Sequence, residues 1–187
     1  MINLNYEVFN PKIHDVLKVA ELVYDVDFRT FDMLFKDKNK AIKTISKHLD
    51  DDLETFLVIL DDENHIIGIL IYYVSKFSNH FNFKSLRLLI VDILDYFVLS
   101  DVNPGDLYIA EIAIDNSLRG QGLGQKVLSE VIDYAKSKNL NRVLLDADFR
   151  NSGAKSLYER MGFKVLNKKR VKIGKFERGM YNMGLEL

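Results

Sequence analysis

The sequence predicts a mixed β-sheet of six or seven strands flanked by helices, an α/β (α+β) fold, and three observations predict it. The apolar run Leu107–Ile114 reads as a strand, turns through Arg119-Gly120-Gln121-Gly122-Leu123-Gly124, and runs into apolar residues at helical spacing: Val127, Leu128, Val131, Ile132 and Ala135. Thr55–Leu60 and Ile66–Tyr73 are strand-like and joined by the polar turn Asp61–His65, a hairpin signal. A second strand–helix pair follows at Val143–Asp148 and Ser152–Met161, with Gly162 as the helix stop.

The remaining elements complete the order β-α-α-β-β-(α)-β-α-β-α-β(-β). Pro11 to about Tyr24 reads as a helix with Pro in its first turn and Ile13, Val16, Leu17, Ala20 and Val23 on one face. Asn39 is the expected N-cap of a second helix with Ala41, Ile42, Ile45 and Leu49 inward. Residues 82–99 carry Phe83, Leu86, Ile90, Ile93 and Phe97 on one stripe, the pattern of a buried amphipathic helix, ended by Asn103-Pro104-Gly105-Asp106. Phe163–Leu166, Arg170–Ile173 and Met180–Leu187 are the last strand candidates.

Composition bounds the function. The 187 residues are 48% hydrophobic and 11% aromatic, enough for a core and against disorder. There is no cysteine, so disulfides, thiolate metal sites and a Cys nucleophile are excluded. A net charge of −1 argues against a general nucleic-acid binder. No run reaches 18 uncharged apolar residues and the first residues lack a signal-peptide pattern, so a cytoplasmic protein without a membrane partner is expected. The four histidines are scattered without metal-site spacing, and no metal is expected. Charge is uneven: residues 1–65 hold 14 Asp/Glu against eight Lys/Arg, and residues 163–180 hold seven Lys/Arg against Glu177. The basic stretch reads as a solvated hairpin face, or as a surface for an anionic cofactor or partner.

A strand that turns through glycines into a helix aims backbone N–H groups and a helix N-terminus at one spot, which suits phosphate or pyrophosphate. Three loops compete for residues 119–124. A P-loop fails because no Ser or Thr follows Lys126, and a dinucleotide fingerprint fails because Gln125 stands at its third glycine position. The pattern R/Q-x-x-G-x-G/A is met at every defined position by Arg119, Gly122 and Gly124. This is the pyrophosphate loop of the GNAT superfamily of N-acyltransferases, which the chain resembles. The stretch Tyr108–Asp115 resembles the family's central strand. Asn151-Ser152-Gly153-Ala154-Lys155-Ser156-Leu157-Tyr158-Glu159-Arg160-Met161-Gly162-Phe163 resembles its motif N-x-x-A-x-x-L-Y-x-x-x-G-F. The resemblance covers roughly residues 107–166.

The resemblance implies one acetyltransferase domain over residues 1–187, a twisted and mostly antiparallel sheet, acetyl-CoA as acyl donor and no metal. Residues 77–103, with their helix, then stand as an insertion that lids the pocket, joins the core or meets a second copy in a homodimer. By resemblance, N–H groups from Gln121 to Gln125, including Gly122, Leu123 and Gly124, hold the pyrophosphate beside Gly120. Ile112 and Ile114, flanking Ala113, pair with the pantetheine amides, and the N–H near Ile112 serves as oxyanion donor. Asn151 contacts the pantetheine arm, and Tyr158 faces the sulfur and protonates the thiolate. A phenol and a thiol are near enough in ordinary acidity for that transfer to be roughly balanced. Arg119 pairs with phosphate or simply caps the loop.

Glu111 is the candidate base, an acid inside an apolar run on the strand face shared with Ile109 and Ala113. Half-burial would raise its pKa and let it take the amine proton; the competing reading is a solvated or ion-paired glutamate. Tyr24, Phe28, Phe31 and Phe35 lie where such proteins shape the acceptor pocket, although core packing is the commoner role. The expected function is acetyl transfer to a primary amine of a small molecule or protein by direct attack in a ternary complex. The alternative is a non-catalytic acyl-CoA sensor; the presence of both Glu111 and Tyr158 favours the enzyme.

Overall fold

Among the described residues, apolar alternation and caps divide the chain into seven strands and five α-helices. The computed structural model describes residues 2–49, 55–74, 97–173 and 176–187. The elements are β1 (Asn5–Val8), α1 (Val16–Val26), α2 (Phe28–Phe35), α3 (Lys38–Ser46), β2 (Phe56–Leu60), β3 (Ile66–Val74) and β4 (Asp106–Ile114). A 3₁₀ turn (Asn116–Leu118), α4 (Leu123–Ser137), β5 (Arg142–Asp148), α5 (Ser152–Arg160), β6 (Lys164–Ile173) and β7 (Phe176–Glu186) follow. The strands bond in the order β1-β2-β3-β4-β5-β7-β6. Most of the expected insertion lies outside the described residues; its end is described, with a helical turn at 97–98. Among the described residues no helix is long and apolar enough to cross a membrane, and no group of three or more His, Asp or Glu could hold a metal ion.

Two compact units divide the chain, Met1–Tyr72 with Glu111–Val127, and Tyr73–Ala110 with Leu128–Leu187. In the first, β1, β2 and β3 are antiparallel, and Val58, Ile59 and Ile69 are fully buried. Helix α1 buries Val19, Ala20 and Leu22 and packs against α3, which buries Ala41 and Ile45. Helix α1 starts at Val16 rather than Pro11 because Asp15 caps it, accepting from Leu17 N at 2.9 Å and Lys18 N at 3.1 Å. Residues 11–14 form a turn instead. Asp37, not Asn39, caps α3, accepting from Lys40 N at 2.8 Å. Helix α2 was not expected, although Phe28, Phe31 and Phe35 have helical spacing.

In the second unit, β4 runs parallel to β5, and β7 is antiparallel to both β5 and β6. Leu107, Leu144, Leu145 and Met183 are buried, as are Leu128, Val131, Ile132 and Ala135 on the inner stripe of α4. The two strand candidates after Phe163 are one strand, β6, bulged between Val165 and Asn167; pairing with β7 holds the polar stretch Asn167-Lys168-Lys169 extended.

At the start of the β4–β5 ladder, Asp106 faces Arg142 and takes both Nε (2.9 Å) and Nη2 (2.6 Å). Burial alone would raise the Asp106 carboxyl, but the Arg142 guanidinium and the Asn103 N–H hold it below the ordinary value. A depressed carboxylate stabilises the fold above its unfolded pKa and loses that contribution as pH falls through the folded value. Asp106→Asn is therefore expected to destabilise by about 2–3 kcal/mol at pH 7, less than a fully buried pair because Arg142 is partly solvated. In thermal melts the gap to wild type should close as pH falls below about 4.

Candidate functional site

The glycine loop is positioned from behind by charge. Strand β4 ends where Asp115 N donates to Ile67 O at 2.8 Å. The Asp115 carboxylate then caps the 3₁₀ turn, accepting from Ser117 N (2.8 Å) and Ser117 Oγ (2.6 Å), and pairs with Lys18 Nζ of α1. Lys18 above all, with Ser117, lowers the Asp115 carboxyl to about 2. Asn116 Nδ2 donates to Asp25 of α1 at 2.7 Å, so α1 grips the turn at two points.

The exposed loop follows. Gly120 and Gly122 have φ of 81° and 77°, the left-handed region that glycine enters without strain. A Cβ built at Gly120, Gly122 or Gly124 meets nothing within 4 Å, so no protein contact demands glycine at these positions. The first backbone bond after the turn is Lys126 N to Gly122 O at 3.0 Å; among the described residues none is recorded from the N–H groups of residues 120–125. These unspent donors at the start of α4 make an anion nest with the macrodipole behind it. Arg119, exposed, donates its N–H to Asn116 O, a loop-capping role for its backbone.

Upstream of the loop, β4 pairs with β5 only from Asp106 to Ile109 and then continues to Ile114. Burial changes at the same place: Asp106–Ile109 are buried, and Ala110–Ile114 are half-buried. On the other edge, Gly68 of β3 lies so close to Ala113 that a Cβ would stand 2.5 Å from the Ala113 carbonyl oxygen, which is why β3 carries a glycine there. Glu111, Ile112, Ala113 and Ile114 are all half-buried in this segment.

The second unit holds the other expected residues. Asn151 caps α5, its Oδ1 accepting from Ala154 N at 3.0 Å, so that oxygen is committed to the helix and its amide N–H₂ is the group left to donate. Tyr158, on the inner face of α5, is 8% exposed, with its ring 6.1 Å from Phe163. Burial first, and the Asp146 charge second, push its phenol up to about 12. The buried phenol thus holds its proton more tightly than a solvated one.

Asp146 on β5 was not foreseen as a site residue. It accepts from Ser100 N (3.0 Å), Ser100 Oγ (2.7 Å), Tyr108 Oη (2.8 Å) and Asn182 Nδ2 (2.5 Å). The reasoning applied to Glu111, an acid inside an apolar strand, would have found it in Val143–Asp148; nothing local marks Ser100 or Asn182. Glu111, Ile112–Ile114 and Arg119–Gln125 thus fall in the first unit, and Asn151 and Tyr158 in the second. Of the aromatics considered for an acceptor pocket, Tyr24, Phe31 and Phe35 are buried and Phe28 is exposed.

Comparison with known proteins agrees with this architecture. The N-alpha-acetyltransferase 30 of Schizosaccharomyces pombe is 38% identical over 56 residues, 30% of this chain and 37% of that protein. A mycothiol acetyltransferase of Renibacterium salmoninarum is 37% identical over 59 residues, 32% of this chain and 17% of that protein. The matches therefore span less than two fifths of these relatives' length. Among solved structures, a Bacillus subtilis acetyltransferase in complex with CoA superposes with a TM-score of 0.57 at 14% identity, covering 100% of this chain and 99% of that one. The C-terminal condensation domain of Ebony, in complex with beta-alanyl-dopamine, reaches a TM-score of 0.68 at 10% identity, covering 100% of each chain. These two likenesses show the fold. The family model described as Acetyltransferase (GNAT) family matches residues 20–163, and the chain belongs to that family.

Proposed function

We propose that the protein transfers the acetyl group of acetyl-CoA to a primary amine, of a small molecule or of a protein, by direct attack in a ternary complex. The observation that carries the reading is the nest at residues 120–125: two left-handed glycines and unspent N–H donors at a helix N-terminus, with room in front of them. The donor set fits a pyrophosphate, which is anionic and accepts hydrogen bonds. In this reading the chain works as one acetyltransferase domain, and Gln121–Gln125 hold the pyrophosphate. The edge of β4 past Ile109 offers Ile112 and Ile114 to the pantetheine amides, and Asn151 donates to the same arm.

For the reaction, the amine must reach the thioester carbon as a free base. Glu111 takes its proton, the C–N bond forms as the C–S bond breaks, and the N–H near Ile112 supports the oxyanion. Tyr158 gives its proton to the departing thiolate. Its raised pKa does not disqualify it, because burial that lifts a phenol also lifts a thiol at the same place. The name of the yeast relative puts peptide α-amines first in an acceptor screen.

Calorimetric titration with acetyl-CoA and CoA tests the reading. Micromolar binding, followed by release of free thiol when amines are added, is the expected result. Binding of neither ligand would remove it.

A further inference from the structure

The glycine loop has little of the protein packed around it. Residues 116, 117 and 119–122 are exposed, and a Cβ at Gly120 or Gly122 meets nothing within 4 Å. Downstream, buried Leu123 fixes the start of α4. Upstream, Leu118 is only half-buried, so the 3₁₀ turn Asn116–Leu118 is aimed into the nest mainly by polar ties. An anion site made of backbone N–H groups works when those groups converge, and ordering them only after the ligand arrives costs affinity.

Both ties come from one face of α1. Lys18 and Asp25 are seven positions apart, about two helical turns, and so lie above one another. Lys18 Nζ pairs with one oxygen of the Asp115 carboxylate, and the other oxygen accepts from Ser117 N (2.8 Å) and Ser117 Oγ (2.6 Å). One carboxylate therefore closes the turn and joins it to the helix. Asn116 Nδ2 donates to Asp25 at 2.7 Å, and Asp25 lies 3.9 Å from Lys38 Nζ. Lys18, Asp25, Asp115 and Asn116 line one cavity of about 100 Å³, so helix and turn meet through polar groups rather than close apolar packing. The two ties are unequal. Asn116 is exposed, whereas the Lys18 and Asp115 side chains are 29% and 21% exposed and both charged. Fully exposed pairs contribute little; a pair shielded to this degree holds its geometry better.

We propose that Lys18 is a positioning residue for the acyl donor: through Asp115 it holds the 3₁₀ turn so that the N–H groups of residues 120–125 converge before the ligand arrives. The proposal rests on the acetyltransferase reading and deepens it, because it makes α1 part of what sets the affinity for pyrophosphate. Lys18 touches none of the loop residues it positions; it acts through a carboxylate 97 positions away.

The test is a double-mutant cycle on Lys18 and Asp115 in the full chain. It is read by calorimetric titration with CoA and by the backbone ¹⁵N–¹H resonances of Gly120, Gly122 and Gly124. Lys18→Met should weaken CoA binding about tenfold and move the glycine resonances of the unliganded protein. Lys18→Arg keeps the charge and the reach, and should restore both. Asp115→Ala should weaken CoA binding at least as much as Lys18→Met, since it also removes the Ser117 cap. In that background Lys18→Met should add little, because the pair is already broken. Thermal melts confirm that each variant is folded at the titration temperature. A folded Lys18→Met with the CoA affinity and glycine resonances of wild type would overturn the proposal. So would a Lys18→Met effect that persists undiminished beside Asp115→Ala, since Lys18 would then act on the ligand directly. If the wild type binds no CoA, the transferase reading falls, and the glycine resonances still decide whether Lys18 sets the loop.

Discussion

Gly122→Trp is expected to abolish acetyl-CoA binding while leaving the protein folded. Gly122 has φ of 77°, so a side chain there carries about 1–2 kcal/mol of backbone strain, a few degrees in Tm. Nothing lies within 4 Å of a Cβ at this position, so the new side chain leaves the backbone into open space. It would fill the space in front of the N–H donors, and calorimetry should show affinity at least about 100-fold weaker, the loss of several charge-assisted bonds at once. Gly124→Ala is the contrast. Gly124 is in the first turn of α4 without a positive φ, and the loop pattern admits alanine there. That variant should keep CoA affinity and gain up to about 1 kcal/mol of helix stability. Retained binding by a folded Gly122→Trp would move the pyrophosphate out of the loop.

Tyr158→Phe is expected to lower kcat by about 10²-fold or more, the usual scale for a lost proton donor, with acetyl-CoA affinity unchanged. The ring stays in its place against Phe163, so the melting temperature should hardly move. The pH profile gives a second check. Burial and Asp146 push the phenol up to about 12, so its protonated form persists throughout the neutral and mildly alkaline range. No alkaline fall in kcat below about pH 11 should trace to Tyr158, and a fall near pH 10 that disappears in Tyr158→Phe would contradict the buried geometry. Unchanged turnover in the variant would remove Tyr158 from the mechanism.

The backbone of the candidate loop was legible because it depends on local geometry. Gly120 and Gly122 declare a left-handed turn by their identity, and the apolar runs on either side declare the strand and the helix. The element boundaries were less legible where two local signals competed. Pro11 and Asp15 could each open α1, and Asp15 does, because its carboxylate meets two N–H groups of the first turn. Asn39 and Asp37 competed in the same way, and Asp37 caps α3. The polar stretch in β6 reads as a break by propensity, yet its partner strand keeps it extended.

The sequence alone determined the strand–glycine–helix loop, the order of most elements and the family, since each depends on neighbours within about a turn of the chain. Only the tertiary structure decided how that loop is held and which donors surround Asp146. Lys18 meets Asp115 across 97 positions, and Asn182 meets Asp146 across 36. It also decided the acidity of Tyr158, because desolvation and a carboxylate on another element set it. Burial and electrostatics sum over everything near in space, and a sequence orders residues only along the chain.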